Sequence, residues 1–240
     1  DSYPMRYFHN TKTLKLENCK IKNLSSLGYC NNLTQLTIYG RSNIEDISCL
    51  KNIKVLSIHH NNMHDIYSTS VLSKLHILNI SNCYNIKQLS LLKSTPNITI
   101  LSIQNCNPLT DISNISNLKR LYSFELTNCN NVKDISCLKG LLHLNNVSIT
   151  RCGITDISVF EHTPNILGLI LKSIEIDDIS SLKYLTRLVK LRLQYCRDIT
   201  DISVLESLKD LKYLYYYRCK NVKDISIIDK LSKRINVKEY

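Results

Sequence analysis

The chain has 240 residues, a formal net charge of +11 and a hydrophobic fraction of 43%. It begins without a charged-then-apolar leader and has no apolar run as long as a membrane span, which predicts neither a signal peptide nor a transmembrane segment. With 5 glycines and no Pro-, Gly- or Ser-rich stretch, it offers no linker at which two domains would separate.

A short apolar-x-apolar segment recurs along the whole chain, at intervals of 20 to 23 residues. A fixed interval of this length indicates a repeat architecture, which overrides separate predictions for each element. Alternate residues of a strand point to opposite sides, so each segment predicts a strand with two inward apolar residues and one outward residue between them. In chain order, the predicted strand cores are 14–16, 36–38, 56–58, 78–80, 101–103, 124–126, 147–149, 169–171, 191–193 and 214–216, with a further terminal strand at 235–237.

Most predicted strands are followed by Cys or Asn, then by an apolar residue and a tripeptide such as Asp46-Ile47-Ser48 or Asp111-Ile112-Ser113. With these features the sequence resembles the leucine-rich-repeat family, in a short form that mixes internalin-like spacing with the cysteine-containing type. The resemblance covers nearly the whole chain in about ten copies. It implies an α/β repeat solenoid over residues 1–240, a single horseshoe- or arc-shaped domain with a parallel sheet on its concave face.

The physics of stacking agrees with this fold. One repeat cannot bury its own apolar edge, whereas ten strands about 4.8 Å apart make a sheet roughly 50 Å long whose apolar side is covered. Repeats this short leave little room for a full helix on the return path. We therefore expect tight turns and short 3₁₀ segments on the convex side.

Seven of the ten cysteines occupy one column of the repeat, directly after the strands. In leucine-rich repeats this column usually holds Asn, whose amide bonds to the backbone of the turn, and Asn61 keeps that residue. We interpret the column as buried, reduced structural thiols, which favour a cytoplasmic or nuclear location. Its members are Cys19, Cys83, Cys106, Cys129, Cys152, Cys196 and Cys219.

Two sets of polar residues could be mistaken for reactive sites. One aspartate recurs in most repeats, and we expect its carboxylate to accept backbone N–H groups of the turn while the following serine caps the return segment. His59, His60 and His64 lie where no helix would bring them together, which argues against a metal site. Without a phosphate-binding loop or a catalytic arrangement, the sequence predicts no catalytic residue, no metal, no cofactor and no enzyme activity.

Outward residues of the concave face are small and polar in the middle repeats, whereas the last repeats carry basic and aromatic side chains. Tyrosine and arginine are enriched among the residues that dominate binding energy, so we predict a partner site there. A role in shielding the end of the solenoid is the alternative, and Tyr39 with His59 forms a minor patch. The predicted partner-binding residues are Lys172, Lys190, Arg192, Gln194, Tyr195, Tyr213, Tyr215, Tyr217 and Arg218.

The sequence thus predicts a non-enzymatic protein–protein interaction module, a scaffold or adaptor. Residues 183–240 carry a net charge of +7, which favours an acidic protein partner. Nucleic acid is disfavoured because no RNA- or DNA-binding signature is present. The alternatives are a recognition domain of a larger signalling protein, a substrate receptor of a ubiquitin ligase, or an internalin-like host-binding protein of a pathogen.

Overall fold

The structure is a computed structural model that describes residues 10–19, 21, 23–42 and 44–239. Eleven strands form one parallel sheet, in which each strand pairs with the next one along the chain. The sheet is therefore a linear stack of repeats, as predicted. The strands are β1 Thr13–Glu17, β2 Gln35–Tyr39, β3 Val55–His59, β4 Ile77–Ser81, β5 Ile100–Gln104, β6 Ser123–Cys129, β7 Asn146–Cys152, β8 Gly168–Lys172, β9 Lys190–Gln194, β10 Tyr213–Tyr217 and β11 Asn236–Glu239.

Each of the ten predicted strand cores lies inside a strand, and β11 overlaps the terminal strand predicted at 235–237. The predicted domain range of 1–240 includes residues 1–9, 20, 22, 43 and 240, which lie outside the described residues. No helix in the described part of the chain has the length and apolar character needed to cross a bilayer.

Most return segments contain a short 3₁₀ helix, as predicted. Segments 44–54 and 60–76 have turns without one. These helices span Ser25–Tyr29, Ser90–Ser94, Ser113–Asn117, Ser136–Leu138, Ser158–His162, Ser180–Tyr184 and Ser203–Ser207.

The last return segment departs from the prediction, because it forms an α-helix, α1, over Ser226–Ser232. Ile227, Ile228 and Leu231 are spaced as one face of a helix and are buried, while Asp229 and Lys230 are exposed. This spacing of apolar residues favours a full helical turn over a 3₁₀ segment.

The core is a set of apolar columns that run the length of the stack. In β4, Leu78 and Ile80 are buried and Asn79 between them is half-buried, and the same alternation recurs from β2 to β10. Register places Leu78 between Leu56 of β3 and Leu101 of β5. Since burial of one such side chain contributes about 2 kcal/mol, the columns supply the main driving force for stacking.

The cysteine column lies in this core, where each thiol takes over part of the role of the asparagine amide. Cys106 donates to the carbonyl of Gln104 at 3.3 Å, and Cys152 donates to the carbonyl of Thr150 at 3.4 Å. Asn61 instead accepts the N–H of Met63 at 3.2 Å and donates to Ser42 Oγ. A thiol therefore satisfies one acceptor of the turn with a smaller, mostly apolar side chain.

All ten cysteines are free, and Cys19 departs from the prediction of a wholly buried column. Cys19 follows β1, where no earlier strand among the described residues covers it, and it is only partly buried. Burial raises the pKa of Cys129 to about 12 and the pKa of Cys152 to about 11. These thiols are neutral and poor nucleophiles at neutral pH.

The aspartate column anchors the start of the return segments. Asp111 Oδ1 accepts the backbone N–H of Ser113 at 2.8 Å, and Asp178 Oδ1 accepts that of Ser180 at 2.7 Å. The aspartate therefore accepts a backbone N–H of the turn, as expected, whereas the serine, which we also expected to cap the return segment, does not do so. The serine is the first residue of the 3₁₀ helix, so its free N–H is the group that needs an acceptor.

One repeat has Gln88 in the aspartate column, and the carboxylate of the preceding repeat accepts its hydrogen bonds instead. Asp65 Oδ1 accepts the N–H of Ser90 at 3.0 Å, and its Oδ2 accepts the Gln88 amide at 3.0 Å. Neighbouring repeats are therefore joined at this point by side chains as well as by the sheet.

We expect eight of the ten thiols to be unreactive in the folded protein, because only Cys19 and Cys49 are more than slightly exposed. Titration with a chromogenic thiol reagent should show at most two reactive groups before unfolding and ten after it. Rapid reaction of more than two thiols in the folded protein would contradict the burial of the cysteine column.

The aspartate column should make the protein less stable in acid. Hydrogen bonds from the following serine, its backbone N–H first, lower the pKa of Asp111, Asp178 and Asp201. A lowered folded-state pKa gives stability that is present above the unfolded value of about 3.9 and is lost as pH falls through the folded value.

Replacing these three residues by Asn should therefore reduce the loss of unfolding free energy between pH 6 and pH 3, measured by urea unfolding. Asn retains the acceptor oxygen but does not titrate. The control replaces three exposed aspartates outside the column, Asp198, Asp210 and Asp229, by Asn. If both variants lost the same unfolding free energy between pH 6 and pH 3, the lowered pKa values of the column would not explain the acid sensitivity.

Candidate functional site

Three rows of side chains cross the concave face between β8 and β11, because the strand register aligns them. The central row consists of Ile170, Arg192, Tyr215 and Lys238. The predicted site residues of β8 to β10 all fall into these rows, and Tyr195 and Arg218 directly follow β9 and β10. The flanking rows are Gly168, Lys190, Tyr213 and Asn236 on one side, and Lys172, Gln194 and Tyr217 on the other.

Three cations surround the ring of Tyr215. The guanidinium carbon of Arg192 lies 4.8 Å from the ring centroid, and the ammonium nitrogens of Lys190 and Lys238 lie 5.3 and 5.8 Å from it. We call these four residues the Tyr215 cluster. Each cation is within the range of a cation–π contact, worth about 0.5–1 kcal/mol at an exposed site.

Lys238 was missed by sequence reasoning. The core predicted at 235–237 would pair Ile235 with Leu214 and place Lys238 opposite Tyr217, whereas the observed register is shifted by two residues and places Lys238 opposite Tyr215. Its neighbour Val237 pairs with Leu214, which continues the apolar column of the repeats.

A second group forms where β9 and β10 end. The rings of Tyr195 and Tyr217 meet edge to face, with centroids 5.2 Å apart and planes at 88°. The guanidinium of Arg218 lies 5.1 Å from the ring of Tyr217 and 5.7 Å from that of Tyr195. We call these three residues the Tyr217 cluster.

Three predicted residues stand apart from both clusters. Among the described residues, no ring or cation–π contact joins Tyr213, Lys172 or Gln194 to them, although all three lie in the flanking rows. Tyr213 is 44% exposed, so it offers aromatic surface to solvent. The structure thus divides the predicted site into two compact clusters and three separate flanking side chains.

No acidic side chain that the structure describes pairs with a cation of the two clusters. In the described part of the chain, ion pairs join Lys15 to Glu17, His64 to Glu45 and Lys230 to Glu206, and none of them involves a cluster residue. In addition, Arg192 Nε is buried and has no hydrogen-bond acceptor. Two like charges about 4 Å apart repel by about 1 kcal/mol in water, so repulsion among the three cations works against their favourable contacts with the ring.

The Tyr217 cluster also uses a costly backbone conformation. Tyr195 and Arg218 have φ values of 57° and 53°, in the left-handed region. Among the earlier repeats this column holds His60, Arg151 and Ser173 as well as several asparagines. Of these, Asn82, Asn105 and Asn128 form a ladder of amide hydrogen bonds of 2.9 and 2.6 Å. Asparagine tolerates this region better than tyrosine or arginine.

The middle of the concave face is polar, and its side chains form hydrogen bonds with one another. Ser102 Oγ and Gln104 Nε2 each donate to the carboxylate of Glu125 at 3.0 Å, and Thr127 Oγ1 donates to it at 3.4 Å. Sequence reasoning described this region as small and polar and overlooked Glu125. Because its oxygens already have donors, Glu125 does not act as a free anion.

The predicted minor patch at Tyr39 also differs from expectation. Tyr39 packs more closely on His60, at 4.9 Å between centroids, than on His59 at 6.4 Å. His59 Nδ1 lies 2.6 Å from Ser81 Oγ, and partial burial, with repulsion from His60, lowers the pKa of His59. No group of three His, Cys, Asp or Glu residues suited to a metal ion occurs among the described residues.

Solved structures of the same fold include two internalins from Listeria monocytogenes. Internalin InlF is 22% identical over 99% of this chain and 89% of its own, with a TM-score of 0.51. Internalin C2 is 22% identical over 95% and 80%, with a TM-score of 0.53. TLR13, in a complex with ssRNA13, is 17% identical over 90% of this chain and 37% of its own, with a TM-score of 0.73.

The fold is the leucine-rich-repeat solenoid. No family model matches the sequence, and no curated protein is significantly similar to it. Within this leucine-rich-repeat solenoid, the two clusters occupy the C-terminal end of the concave face. They combine cations that have no acidic partner among the described residues with a tyrosine and an arginine in the left-handed region.

Salt should stabilise the folded protein, because it screens repulsion among the cations around Tyr215. Raising ionic strength from about 0.01 to 0.15 M shortens the screening length from about 30 to 8 Å. The resulting rise in melting temperature should be smaller in the variant Lys190→Gln, Arg192→Gln, Lys238→Gln.

The matched control removes three exposed charges far from the cluster, by Lys93→Gln, Lys119→Gln and Lys139→Gln. Because both variants have the same net charge, any difference between them reports the local arrangement. An equal response to salt would show that the three cations do not repel one another appreciably.

Proposed function

We propose that this leucine-rich-repeat solenoid is a non-enzymatic interaction module that holds a protein partner at the C-terminal end of its concave face. The observation that carries the proposal is the Tyr215 cluster, in which an aromatic ring lies together with three cations that have no acidic partner among the described residues. Repulsion among these cations weakens the arrangement in the free protein, and a partner that supplies acidic groups would relieve that repulsion.

The shape of the surface supports a macromolecular partner. Among the described residues, two surface hollows are open rather than enclosed, one of about 590 Å³ where β5 and β6 begin and one of about 370 Å³ beside Tyr195. Small-molecule sites usually enclose most of the ligand surface. Protein partners instead cover broad, shallow surfaces and gain most of their binding energy from a few tyrosine and arginine residues.

Several roles are compatible with such a module. A scaffold or adaptor, a recognition domain of a larger signalling protein, a substrate receptor of a ubiquitin ligase and an internalin-like host-binding protein would all use the concave face in the same way. Ten free cysteines support a cytoplasmic or nuclear location, where thiols stay reduced.

Single-stranded RNA is the second candidate, because the TLR13 structure is a complex with ssRNA13 and because basic residues alternate with tyrosines here. Base stacking requires open ring faces. Cations lie against the rings of Tyr215 and Tyr217, and Tyr195 packs on Tyr217 edge to face. These contacts favour a protein partner that places acidic groups beside the cations.

The double variant Arg192→Ala, Tyr215→Ala should weaken partner binding at least tenfold, about 1.4 kcal/mol, and leave the melting temperature within about 2 °C. The two side chains point out of the core, so their loss leaves the apolar columns intact. Affinity capture from an extract of the native cells, quantified by mass spectrometry against wild type, identifies proteins whose retention depends on the cluster.

The matched control is Lys183→Ala, Tyr184→Ala, which removes another cation–π pair, 4.9 Å apart, from the 3₁₀ helix on the convex side. Its captured proteins should equal those of wild type. If the concave variant also retains them all, or if it melts far below wild type, the cluster is an end cap of the solenoid rather than a binding site.

A further inference from the structure

We infer that the Tyr215 cluster is a receptor for an extended acidic segment of the partner, in which carboxylates alternate with other residues. This inference rests on the proposed binding function and names the chemistry of the occupant. The carboxylates would lie beside Lys190, Arg192 and Lys238, with the ring of Tyr215 between the two outer cations of the central row.

The first step of the argument is charge. The three cations converge on one ring and none of them pairs with an acidic residue in the described part of the chain. The N-terminal and middle parts of the concave face differ, because Lys15 pairs with Glu17 and Glu125 is held by three donors. The C-terminal end is thus the place on this face where an anion would find cations without acidic partners.

The second step is the unsatisfied donor of Arg192. Its Nε is buried and has no acceptor, and a buried donor without an acceptor is costly. A carboxylate that approaches the edge of a guanidinium accepts two parallel N–H bonds, and such paired bonds are among the strongest in proteins. An anion bound there would therefore also relieve a defect of the unbound protein, after a small reorientation of the side chain.

The third step is spacing. Arg192 and Lys238 stand two strands apart in the central row, so their backbones are separated by about 10 Å across two spacings of about 4.8 Å. In an extended peptide, residues i and i+2 point to the same side and lie about 7 Å apart. Flexible side chains bridge the difference, so alternating acidic residues of one strand-like segment can reach both outer cations, with Lys190 beside them.

An acidic peptide also fits better than RNA. Phosphates would satisfy the cations, but bases need ring faces to stack on, and the cations already lie over Tyr215. Carboxylates need no ring face, and the aliphatic part of a glutamate can pack along the edge of the tyrosine. The geometry therefore favours carboxylates on a peptide.

Fluorescence anisotropy with synthetic probes tests the inference without knowledge of the partner. The probes are the labelled peptide (Ser-Glu)5, its neutral counterpart (Ser-Gln)5 and a ten-residue oligouridine RNA. At low ionic strength, (Ser-Glu)5 should bind at least tenfold more tightly than (Ser-Gln)5 and more tightly than the RNA. Raising the salt concentration to about 0.5 M should weaken its binding at least tenfold, because the contacts are between charges.

The variant Lys190→Gln, Arg192→Gln, Lys238→Gln should lose at least tenfold in affinity for (Ser-Glu)5, whereas the control Lys93→Gln, Lys119→Gln, Lys139→Gln should lose less than twofold. Circular dichroism melting of both variants establishes that they are folded. Equal losses in the two variants would mean that net charge alone attracts the peptide and would overturn the inference.

The outcomes separate this inference from the proposed function. If cell proteins are captured through Arg192 and Tyr215 but (Ser-Glu)5 does not bind, the module holds a partner of different chemistry and the inference is wrong. Tighter binding of the RNA than of (Ser-Glu)5, lost in the cluster variant, would also overturn it and would favour the second candidate function.

Discussion

The structure depends on the unsatisfied edge that every strand presents to the next. A single repeat exposes a row of backbone N–H and C=O groups and a row of apolar side chains, and one neighbouring repeat satisfies both together. The alternation of buried and outward residues, the buried columns and the capped return segments all follow from repeating this contact. The outward side chains take no part in this contact between repeats, so the fold places few constraints on them.

End effects show how strong this dependence is. Leu14 and Leu16 of β1 remain partly exposed, and Cys19 after them is partly accessible, whereas their counterparts in the interior are buried. At the other end, β11 and the helix α1 cover the last full repeat. The C-terminal end of the concave face is therefore held by a regular backbone, and the unusual features there belong to its side chains.

Some side chains on that surface lower the stability of the folded protein. Asparagine in the left-handed column relieves backbone strain and links adjacent repeats through amide hydrogen bonds, as in Asn105 and Asn128. Tyr195 and Arg218 occupy the same column without that benefit, and the cations around Tyr215 repel one another. Strained or repelling groups persist where the rest of the fold can tolerate them, which the long apolar columns allow.

The sequence by itself determined the strands, the buried columns and the outward residues of the concave face. All of these follow from local periodicity, since alternate strand residues face opposite ways whatever lies around them. The tyrosines and cations of β9 and β10 could be assigned to one surface for the same reason.

Only the tertiary structure decided which of these residues meet. The convergence of Lys190, Arg192 and Lys238 on Tyr215 depends on the register of three strands and on side-chain rotamers. The hydrogen bond from the backbone N–H of Ser90 to the carboxylate of Asp65 likewise joins residues of adjacent repeats. Contacts between residues more than 20 positions apart in the chain arise from stacking geometry, and the local pattern of one repeat contains no information on them.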